Sequence, residues 1–357
     1  MIDVIILGGG FAGVRAALTL KNRTKSGEVN IIVIDKNSFH TFTPSLYEVA
    51  ASEEPQRNVE IPYKEIFDKS IELKQGTVER IDTKSKKIIL DNDKKYSYDY
   101  LIFALGSESA DFGIPGIKEY GIPLKTLEDS VKIKNALKTA KKIIVGGGGF
   151  SGTEIACELS AHKSHLDITL IQGSPILLKE LGDGVSVLAK KKLEEGNVRL
   201  VLGEHIKKAT KDSIIVASGK IFPYDLFVWT GGVRPNSLLG KIETNETLQV
   251  NNFTNIFAAG DVVRPGVARG AIKMGKITAE NILRSMGGEK LLSYSDYNIG
   301  YLVPLGSHFA TFAMGKYHIS GFPAYILQQL ILLRYLLEIL PFFKALKRFI
   351  RFEKELG

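Results

Sequence analysis

The stretch Gly8-Gly9-Gly10-Phe11-Ala12-Gly13 follows the apolar run Val4-Ile5-Ile6-Leu7 and opens a helical pattern. A second copy, Gly147-Gly148-Gly149-Phe150-Ser151-Gly152, begins 139 residues later, after Ile143-Ile144-Val145. In such a strand–loop–helix unit the first glycine permits a tight turn, the second lets the backbone approach a pyrophosphate, and the third allows close helix–strand packing. The helix N-terminus then presents amide groups to the phosphates. The two copies therefore predict two dinucleotide sites.

The residue that ends the second strand differs between the two units. In the first unit it is Asp35, 22 residues beyond Gly13, where a carboxylate accepts hydrogen bonds from an adenosine ribose. In the second unit it is Gln172, and the nearest following cation is Lys179. A neutral amide does not repel a 2′-phosphate, so we expect weak discrimination between NADH and NADPH.

Length and composition describe an ordinary globular protein with room for two domains, at 357 residues, 44% hydrophobic and 24% charged. The formal net charge is +8, and residues 334–357 contain six Lys/Arg and three Glu. Because no DNA-reading motif accompanies this basicity, we expect no nucleic-acid partner and interpret it as attraction to lipid headgroups. The N-terminus has no secretory signal pattern, which predicts a cytoplasmic body.

Further patterns extend the α/β organisation. Residues 84–95 predict a charged β-hairpin, and residues 98–106 and 224–232 each predict a buried strand that ends in a glycine turn. Residues 254–261 predict another strand, which ends in Gly-Asp before a helix. We therefore expect a discontinuous first domain, residues 1–108 and 245–310. The second domain, residues 109–244, is inserted into it, and residues 311–357 form a C-terminal helical region.

Taken together, these motifs resemble those of the two-dinucleotide-binding flavoprotein superfamily, which uses FAD and NAD(P)H. The glycine loops, the two Tyr-Asp…Gly strands and Ile256-Phe257-Ala258-Ala259-Gly260-Asp261 carry the resemblance, which covers nearly the whole chain. It implies FAD on the first unit, NADH or NADPH on the second, and contact of Asp261 with the flavin's ribityl chain. The cofactor-binding residues implied are Gly8, Gly10, Phe11, Ala12, Gly13, Asp35, Lys36, Pro44, Gly106, Gly260, Asp261, Gly147, Gly149, Phe150, Ser151, Gly152, Gln172 and Gly231.

The cysteine content narrows the resemblance. Disulfide reductases and sulfide:quinone reductases relay electrons through at least two cysteines, whereas Cys157 is the only one here. It lies in the predicted helix after the second loop, and we expect a buried packing residue. The chain instead resembles a type II NADH dehydrogenase, a single-subunit, non-pumping NADH:quinone oxidoreductase. The segment His40-Thr41-Phe42-Thr43-Pro44-Ser45-Leu46-Tyr47-Glu48-Val49-Ala50 resembles that family's stretch beside the isoalloxazine.

Three catalytic residues are proposed from this resemblance. Glu154 matches the family's glutamate near the nicotinamide, whereas for Glu158, one turn later, we expect a solvated face. The family usually carries two glutamines after its Gly-Asp motif, where this chain has Arg269 and Lys273. Cations near the flavin would raise its potential, and they would either bar an apolar quinone or attract an acidic acceptor.

The C-terminal region predicts contact with a membrane surface. Residues 323–341 are strongly apolar but short for a bilayer span, and after Pro341 apolar and basic residues fall on different helical faces. A dimerisation or core-covering helix is the alternative. We expect residues 322–357 to anchor the protein to the cytoplasmic side of the cell membrane as a peripheral protein, and their removal to leave flavin reduction intact.

The function predicted is transfer of a hydride from NAD(P)H to FAD and of two electrons to a membrane quinone. One alternative is a flavin reductase of a protein or soluble acceptor, with Arg269 and Lys273 as docking charges. The other is a flavoprotein that senses NAD(P)H without turnover. A homodimer remains possible in each case.

Overall fold

Two parallel sheets organise the chain. The computed structural model describes residues 1–51, 56–240, 242–296, 300–315 and 317–356. The strands are β1 (Ile2–Leu7), β2 (Val29–Asp35), β3 (Phe39–Thr41), β4 (Glu60–Pro62), β5 (Ile71–Gln75), β6 (Val78–Asp82), β7 (Lys87–Leu90), β8 (Lys95–Ser97), β9 (Tyr100–Phe103), β10 (Ser107–Ser109), β11 (Ile122–Pro123), β12 (Lys142–Gly146), β13 (Asp167–Gln172), β14 (Arg199–Leu202), β15 (Ile206–Ala209), β16 (Ser213–Val216), β17 (Ile221–Pro223), β18 (Leu226–Trp229), β19 (Val233–Pro235), β20 (Ile256–Ala258), β21 (Tyr301–Pro304), β22 (Ala310–Met314) and β23 (Tyr317–Gly321).

Helices cover the sheets and form the C-terminus. They are α1 (Phe11–Arg23), α2 (Leu46–Ala51), α3 (Gln56–Val59), α4 (Tyr63–Ile66), α5 (Ile117–Tyr120), α6 (Leu127–Ala136), α7 (Phe150–His162), α8 (Asp183–Glu195), α9 (Ala268–Met286), α10 (Phe322–Ile339) and α11 (Phe342–Leu356). Short 3-10 turns occur at Thr43–Ser45, Lys179–Leu181, Ser237–Leu239 and Gly260–Val262.

Each glycine loop joins a central strand of a five-stranded parallel sheet to the helix that follows it. The first sheet has the order β20-β9-β1-β2-β5, and the second has the order β11-β18-β12-β13-β14. The carboxyl ends of parallel strands meet at one edge of a sheet. In the first sheet the glycine loop therefore lies beside the residue that ends β2, and in the second sheet it lies beside the residue that ends β13. The predicted hairpin is also present, as β7 and β8 in the small sheet β6-β7-β8.

The second unit enters and leaves the first through a pair of antiparallel strands. β10 and β19 pair from Ser107 opposite Pro235 to Ser109 opposite Val233. Arg234 Nε donates to Glu108 Oε1 over 2.8 Å across this pair. β20 then returns the chain to the first sheet, beside β9. The predicted fold class, two Rossmann-like units with the second inserted in the first, is confirmed.

The predicted C-terminal helical region, residues 311–357, begins instead with strands of the sheet β21-β22-β23, and the predicted boundary at residue 310 cuts β22 after its first residue. By length and composition, α10 could cross a membrane. Its inner face, however, belongs to the core of the first unit, where Leu332, Tyr335, Leu336 and Ile339 are buried. Removal of residues 322–357 would expose this core, so the packing gives no support to the expectation that flavin reduction stays intact after the deletion.

Candidate cofactor and acceptor sites

The first glycine loop is closely packed at Gly8 and Gly13 and leaves space for a phosphate at Gly10. Gly8 has φ +99°, a conformation that glycine adopts readily, and a side chain on Gly13 would overlap the Gly8 carbonyl. At Gly10, by contrast, no heavy atom lies within 4 Å of the place a Cβ would occupy. The N-terminus of α1 faces that space. The loop has the shape that a bound pyrophosphate requires.

Two carboxylates flank this loop. Asp35 Oδ2 accepts from the Gly9 backbone N–H over 2.6 Å, which holds the carboxylate at the end of β2. Asp261 Oδ2 accepts from Ser107 Oγ over 2.6 Å and lies 3.4 Å from Lys125 Nζ. The segment that carries Asp261 lies against the loop, because a Cβ on the preceding Gly260 would be 3.2 Å from Ala12 Cβ.

The other residues predicted for the FAD site lie around the same edge at different depths. Phe11, at the start of α1, packs edge-on against His40 with ring centroids 4.9 Å apart. Gly106 has φ +72°, and its carbonyl accepts from Asn236 N–H over 3.0 Å. Lys36 is exposed after β2, and Pro44 is exposed in the turn before α2.

A buried polar network that the sequence did not predict supports the loop from behind. The Gly9 carbonyl accepts from Tyr63 Oη over 2.9 Å and from His40 Nδ1 over 3.0 Å. On the other side of the ring, His40 Nε2 lies 2.8 Å from Tyr335 Oη of α10. Burial lowers the pKa of His40 to about 4, so the ring is neutral. No local pattern links these residues, which lie far apart along the chain.

The second glycine loop repeats the geometry of the first. Gly147 has φ +116°, and a side chain on Gly152 would overlap the Gly147 carbonyl. Gly149 again has no heavy atom within 4 Å of its would-be Cβ. Phe150 and Ser151 begin α7, and the Phe150 ring lies 5.8 Å from that of Tyr301. Gly231, next to this loop, packs against the Trp229 ring, which any side chain at position 231 would overlap.

Gln172 occupies the same position in the second unit as Asp35 in the first. Its Oε1 accepts from the Gly148 backbone N–H over 2.9 Å, as Asp35 does from Gly9. A neutral amide therefore stands at the ribose end of this loop. Lys179 is exposed at the start of a 3-10 turn.

A cluster of acids and a tyrosine lies where α2 meets α7. Tyr47 Oη donates to Glu48 Oε1 over 2.8 Å, and Gln328 Nε2 of α10 lies 3.4 Å from the same hydroxyl. Burial, together with Glu48, Glu158 and Glu154, raises the pKa of Tyr47. Burial alone raises the pKa of Glu154 to about 8, so its carboxyl is protonated at neutral pH.

Glu158 departs from the sequence prediction. Only 7% of its side chain is exposed, and Oε1 lies 3.0 Å from His162 Nε2, so the expected solvated face is wrong. The reason is that α2 packs over this face of α7. Cys157 is buried as predicted, and burial raises the pKa of its thiol.

Arg269 and Lys273 both bind the chain that follows α9. Arg269 Nη1 donates to the Gly300 carbonyl over 3.1 Å. Lys273 Nζ donates to the Ser295 carbonyl and lies 5.4 Å from the centroid of the Tyr294 ring. The charges thus lie at the first turns of α9, beside the segment that leads into β21.

The sequence profile of the pyridine nucleotide-disulphide oxidoreductase family matches residues 2–275. The chain belongs to this family. The chain holds a single cysteine, Cys157, which is buried, so a cysteine pair within the chain has no part in its chemistry.

Relatives with named activities match over most of the chain. The demethylphylloquinone reductase NdbB of Synechocystis sp. is 28% identical over 92% of this chain and 91% of its own. The type II NADH:quinone oxidoreductase of Staphylococcus aureus is 27% identical over 85% of this chain and 88% of its own. Among solved structures, NDH2 from Plasmodium falciparum in complex with NADH superposes with a TM-score of 0.83. It is 17% identical and covers 99% of this chain and 98% of that one.

The residues present fit the two nucleotides that this family uses. Each loop offers an open position, at Gly10 or Gly149, in front of a helix N-terminus. Each also has a side-chain oxygen fixed at the ribose end, from Asp35 or Gln172. The first site alone adds Asp261, as a ribityl-binding carboxylate would require.

Proposed function

We propose that this chain is a FAD-dependent NAD(P)H:quinone oxidoreductase of the type II NADH dehydrogenase kind, a respiratory enzyme that pumps no protons. The observation that carries the proposal is the pairing of two matched nucleotide loops with a single buried cysteine. Two nucleotides can exchange electrons directly, and no dithiol is available to take them elsewhere. Relatives that reduce quinones, matched over most of their length, support the same conclusion.

FAD bound in the first site supplies the redox chemistry, accepting a hydride from NAD(P)H and passing two electrons to an acceptor. The chain's own residues orient the two nucleotides. In this proposal the loop from Gly8 to Gly13 holds the FAD pyrophosphate, Asp35 the adenosine ribose and Asp261 the ribityl chain. His40 and Tyr63 hold the Gly9 carbonyl and so keep the loop rigid.

The second loop binds NADH or NADPH, and its residues govern the choice between them. Gln172 can hydrogen-bond a ribose hydroxyl but carries no charge against a 2′-phosphate. We therefore propose that the enzyme accepts both nucleotides. Glu154, in the second turn of α7 and protonated at neutral pH, is proposed to approach the nicotinamide without placing a negative charge there.

Arg269 and Lys273 are proposed to set a positive potential at the N-terminus of α9, next to Asp261. Their contacts with the Gly300 and Ser295 carbonyls hold the charged ends on the neighbouring segment. That arrangement favours an electrostatic role toward the flavin. It gives no support to a docking role for a soluble acceptor.

The surface formed by the β22–β23 hairpin, α10 and α11 is proposed to contact the membrane from which the quinone is taken. Apolar side chains stand exposed on the β22–β23 hairpin, α10 and α11, and they are Met314, Tyr317, Ile319, Phe322, Ile326, Leu330, Ile331, Leu337, Phe342, Phe343, Leu346 and Ile350. Monomeric proteins rarely expose so many apolar side chains on neighbouring elements. Lys344, Lys347 and Arg351 on α11 add attraction to anionic lipid. A homodimer would cover the same surface.

Steady-state assays test the proposal. The purified protein is given NADH or NADPH with a menaquinone or ubiquinone analogue, in the presence and absence of lipid vesicles. The proposal predicts turnover with both nucleotides and with at least one quinone, and flotation of the protein with anionic vesicles. Flavin reduction without quinone turnover would favour a nucleotide sensor, whereas a stable dimer that ignores vesicles would assign the apolar surface to dimerisation.

A further inference from the structure

One face of α7 carries an ionisable residue on every successive turn. Glu154, Glu158 and His162 stand at positions i, i+4 and i+8, so they form a row along one side of the helix. At 1.5 Å per residue the row is ~12 Å long. It begins in the second turn, near the second glycine loop, and ends at the last residue of the helix. The row connects the nucleotide end of α7 with the protein surface.

The outer half of the row is a hydrogen-bonded connection between solvent and the interior. His162 Nε2 lies 3.0 Å from Glu158 Oε1 and 3.1 Å from Ser307 Oγ. The His162 side chain is 39% exposed, whereas that of Glu158 is 7% exposed. A proton taken up by the imidazole from water can therefore pass to a carboxylate that water barely reaches.

The inner half of the row adjoins the tyrosine–acid cluster. Tyr47, on α2, donates to Glu48 and is approached by Gln328 of α10, so its hydroxyl lies where three helices meet. α2, which carries Tyr47, packs on α7 over the buried Glu158. Burial and the negative charges of Glu48, Glu158 and Glu154 raise the pKa of the Tyr47 phenol. The other charged groups around the outer end are Lys163, which follows His162, and Lys192 of α8.

The proposed reaction needs such a connection. NAD(P)H, one proton and a quinone give NAD(P)⁺ and a quinol: the hydride brings two electrons and one proton, and the second proton comes from solvent. Ferricyanide makes no such demand, because two ferricyanide ions take up the two electrons and one proton is released. An acceptor site shielded from water therefore requires a path for one proton per turnover.

We propose that the acceptor is reduced beside Tyr47, whose hydroxyl lies between α2 and α10 near α7, and that His162 and Glu158 deliver this proton to it from solvent. The proposal rests on the quinone activity proposed above. His162 and Glu158 act through their neighbours and are proton-positioning residues, without contact to the acceptor. Histidine suits the outer position because its charge changes near neutral pH, and general acid–base groups contribute about 10²- to 10⁴-fold to rates.

The test follows reoxidation of the NADH-reduced holoenzyme by flavin absorbance in a stopped-flow instrument. One acceptor is a short-chain quinone and the other is ferricyanide. The variants are His162→Ala, His162→Gln, which retains an N–H donor for Glu158 but cannot carry a proton, and Glu158→Gln. His165→Ala, three residues away and exposed, is the matched control.

We expect reoxidation by quinone to fall about 10-fold or more in all three variants, with ferricyanide reoxidation and the His165→Ala control within about twofold of wild type. Added imidazole should restore the rate of His162→Ala. A readout independent of turnover is the NMR titration of His162: Glu158 raises the pKa of this imidazole, so Glu158→Gln should lower it.

Three results would overturn the delivery route. They are an unchanged quinone rate in His162→Gln, an equal loss with both acceptors, and a failure of imidazole to restore His162→Ala. A wild-type enzyme that reduces ferricyanide but no quinone would instead remove the proposed function, and with it the need for the proton.

Discussion

The hydroxyl of Tyr335 donates a hydrogen bond to Nε2 of His40 over 2.8 Å and thereby ties α10 to the first glycine loop. The direction of the bond follows from the other side of the ring. The Gly9 carbonyl can only accept, so Nδ1 of the neutral imidazole carries the proton and Nε2 is left as the acceptor. An element near the C-terminus thus helps to position the loop that begins at residue 8.

Replacing Tyr335 with Phe should weaken FAD binding. The change removes one buried hydrogen bond, with a loss of ~1–3 kcal/mol because His40 Nε2 is left unpaired. We expect a higher dissociation constant for FAD and a lower melting temperature, measured by flavin fluorescence. Tyr317→Phe, on exposed β23, is the control and should change neither. Equal FAD affinity in Tyr335→Phe and wild type would mean that α10 does not support the loop.

Replacing Gln172 with Glu should shift preference toward NADH. The carboxylate retains an acceptor for Gly148 N–H, accepts from the ribose 2′-hydroxyl and repels a 2′-phosphate. One such contact corresponds to ~1–3 kcal/mol, or roughly 5- to 150-fold in the ratio of the two kcat/KM values. Gln172→Leu, which removes the acceptor without adding charge, is the comparison. If the ratio for Gln172→Glu equals that of wild type, residue 172 does not contact the ribose.

The stability of the protein should fall with rising pH because of Glu154. Its pKa is raised by burial from 4.5 to about 8, so the folded state holds a proton that the unfolded chain releases. The resulting stabilisation is complete below pH 4.5 and is lost as the pH rises through 8. In Glu154→Gln this loss is absent, so the variant's melting temperature relative to wild type should increase from about pH 6 to about pH 9. The exposed Glu180→Gln is the control. A constant difference across this range would show that Glu154 is ionised throughout.

Apolar side chains on α11 should drive binding to lipid. Phe343 is 82% exposed and Phe342 is 61% exposed at the start of this helix. The double change to Glu replaces apolar insertion with charge repulsion. We expect it to abolish flotation with anionic vesicles while FAD content stays the same. Val187→Glu, an exposed apolar site on α8, should float like wild type. Flotation of the double variant would assign lipid binding to another surface.

The local patterns of the sequence were sufficient for the two Rossmann-like units but did not predict the sheet β21-β22-β23. Glycine loops after apolar strands specify a Rossmann-like unit because the turn, the pyrophosphate approach and the helix packing each need glycine at a fixed spacing. Asp35 and Gln172 were found for the same reason, since each ends the strand that follows its loop. Contacts between distant parts of the chain could not be found in this way. His40, Tyr63 and Tyr335 meet only through tertiary packing, and Glu158 is buried by α2, which no helical pattern within α7 records.

An anaerobic titration of the purified protein with NADH, and then with quinone, shows directly whether the bound flavin passes electrons from one to the other. We expect a yellow protein with about one noncovalent FAD per chain, in keeping with its one complete flavin site. One equivalent of NADH should bleach the flavin, and one equivalent of quinone should restore the oxidised spectrum within the time of catalytic turnover. A folded protein that cannot be loaded with FAD, or a bleached flavin whose colour quinone does not restore, would contradict the proposed function.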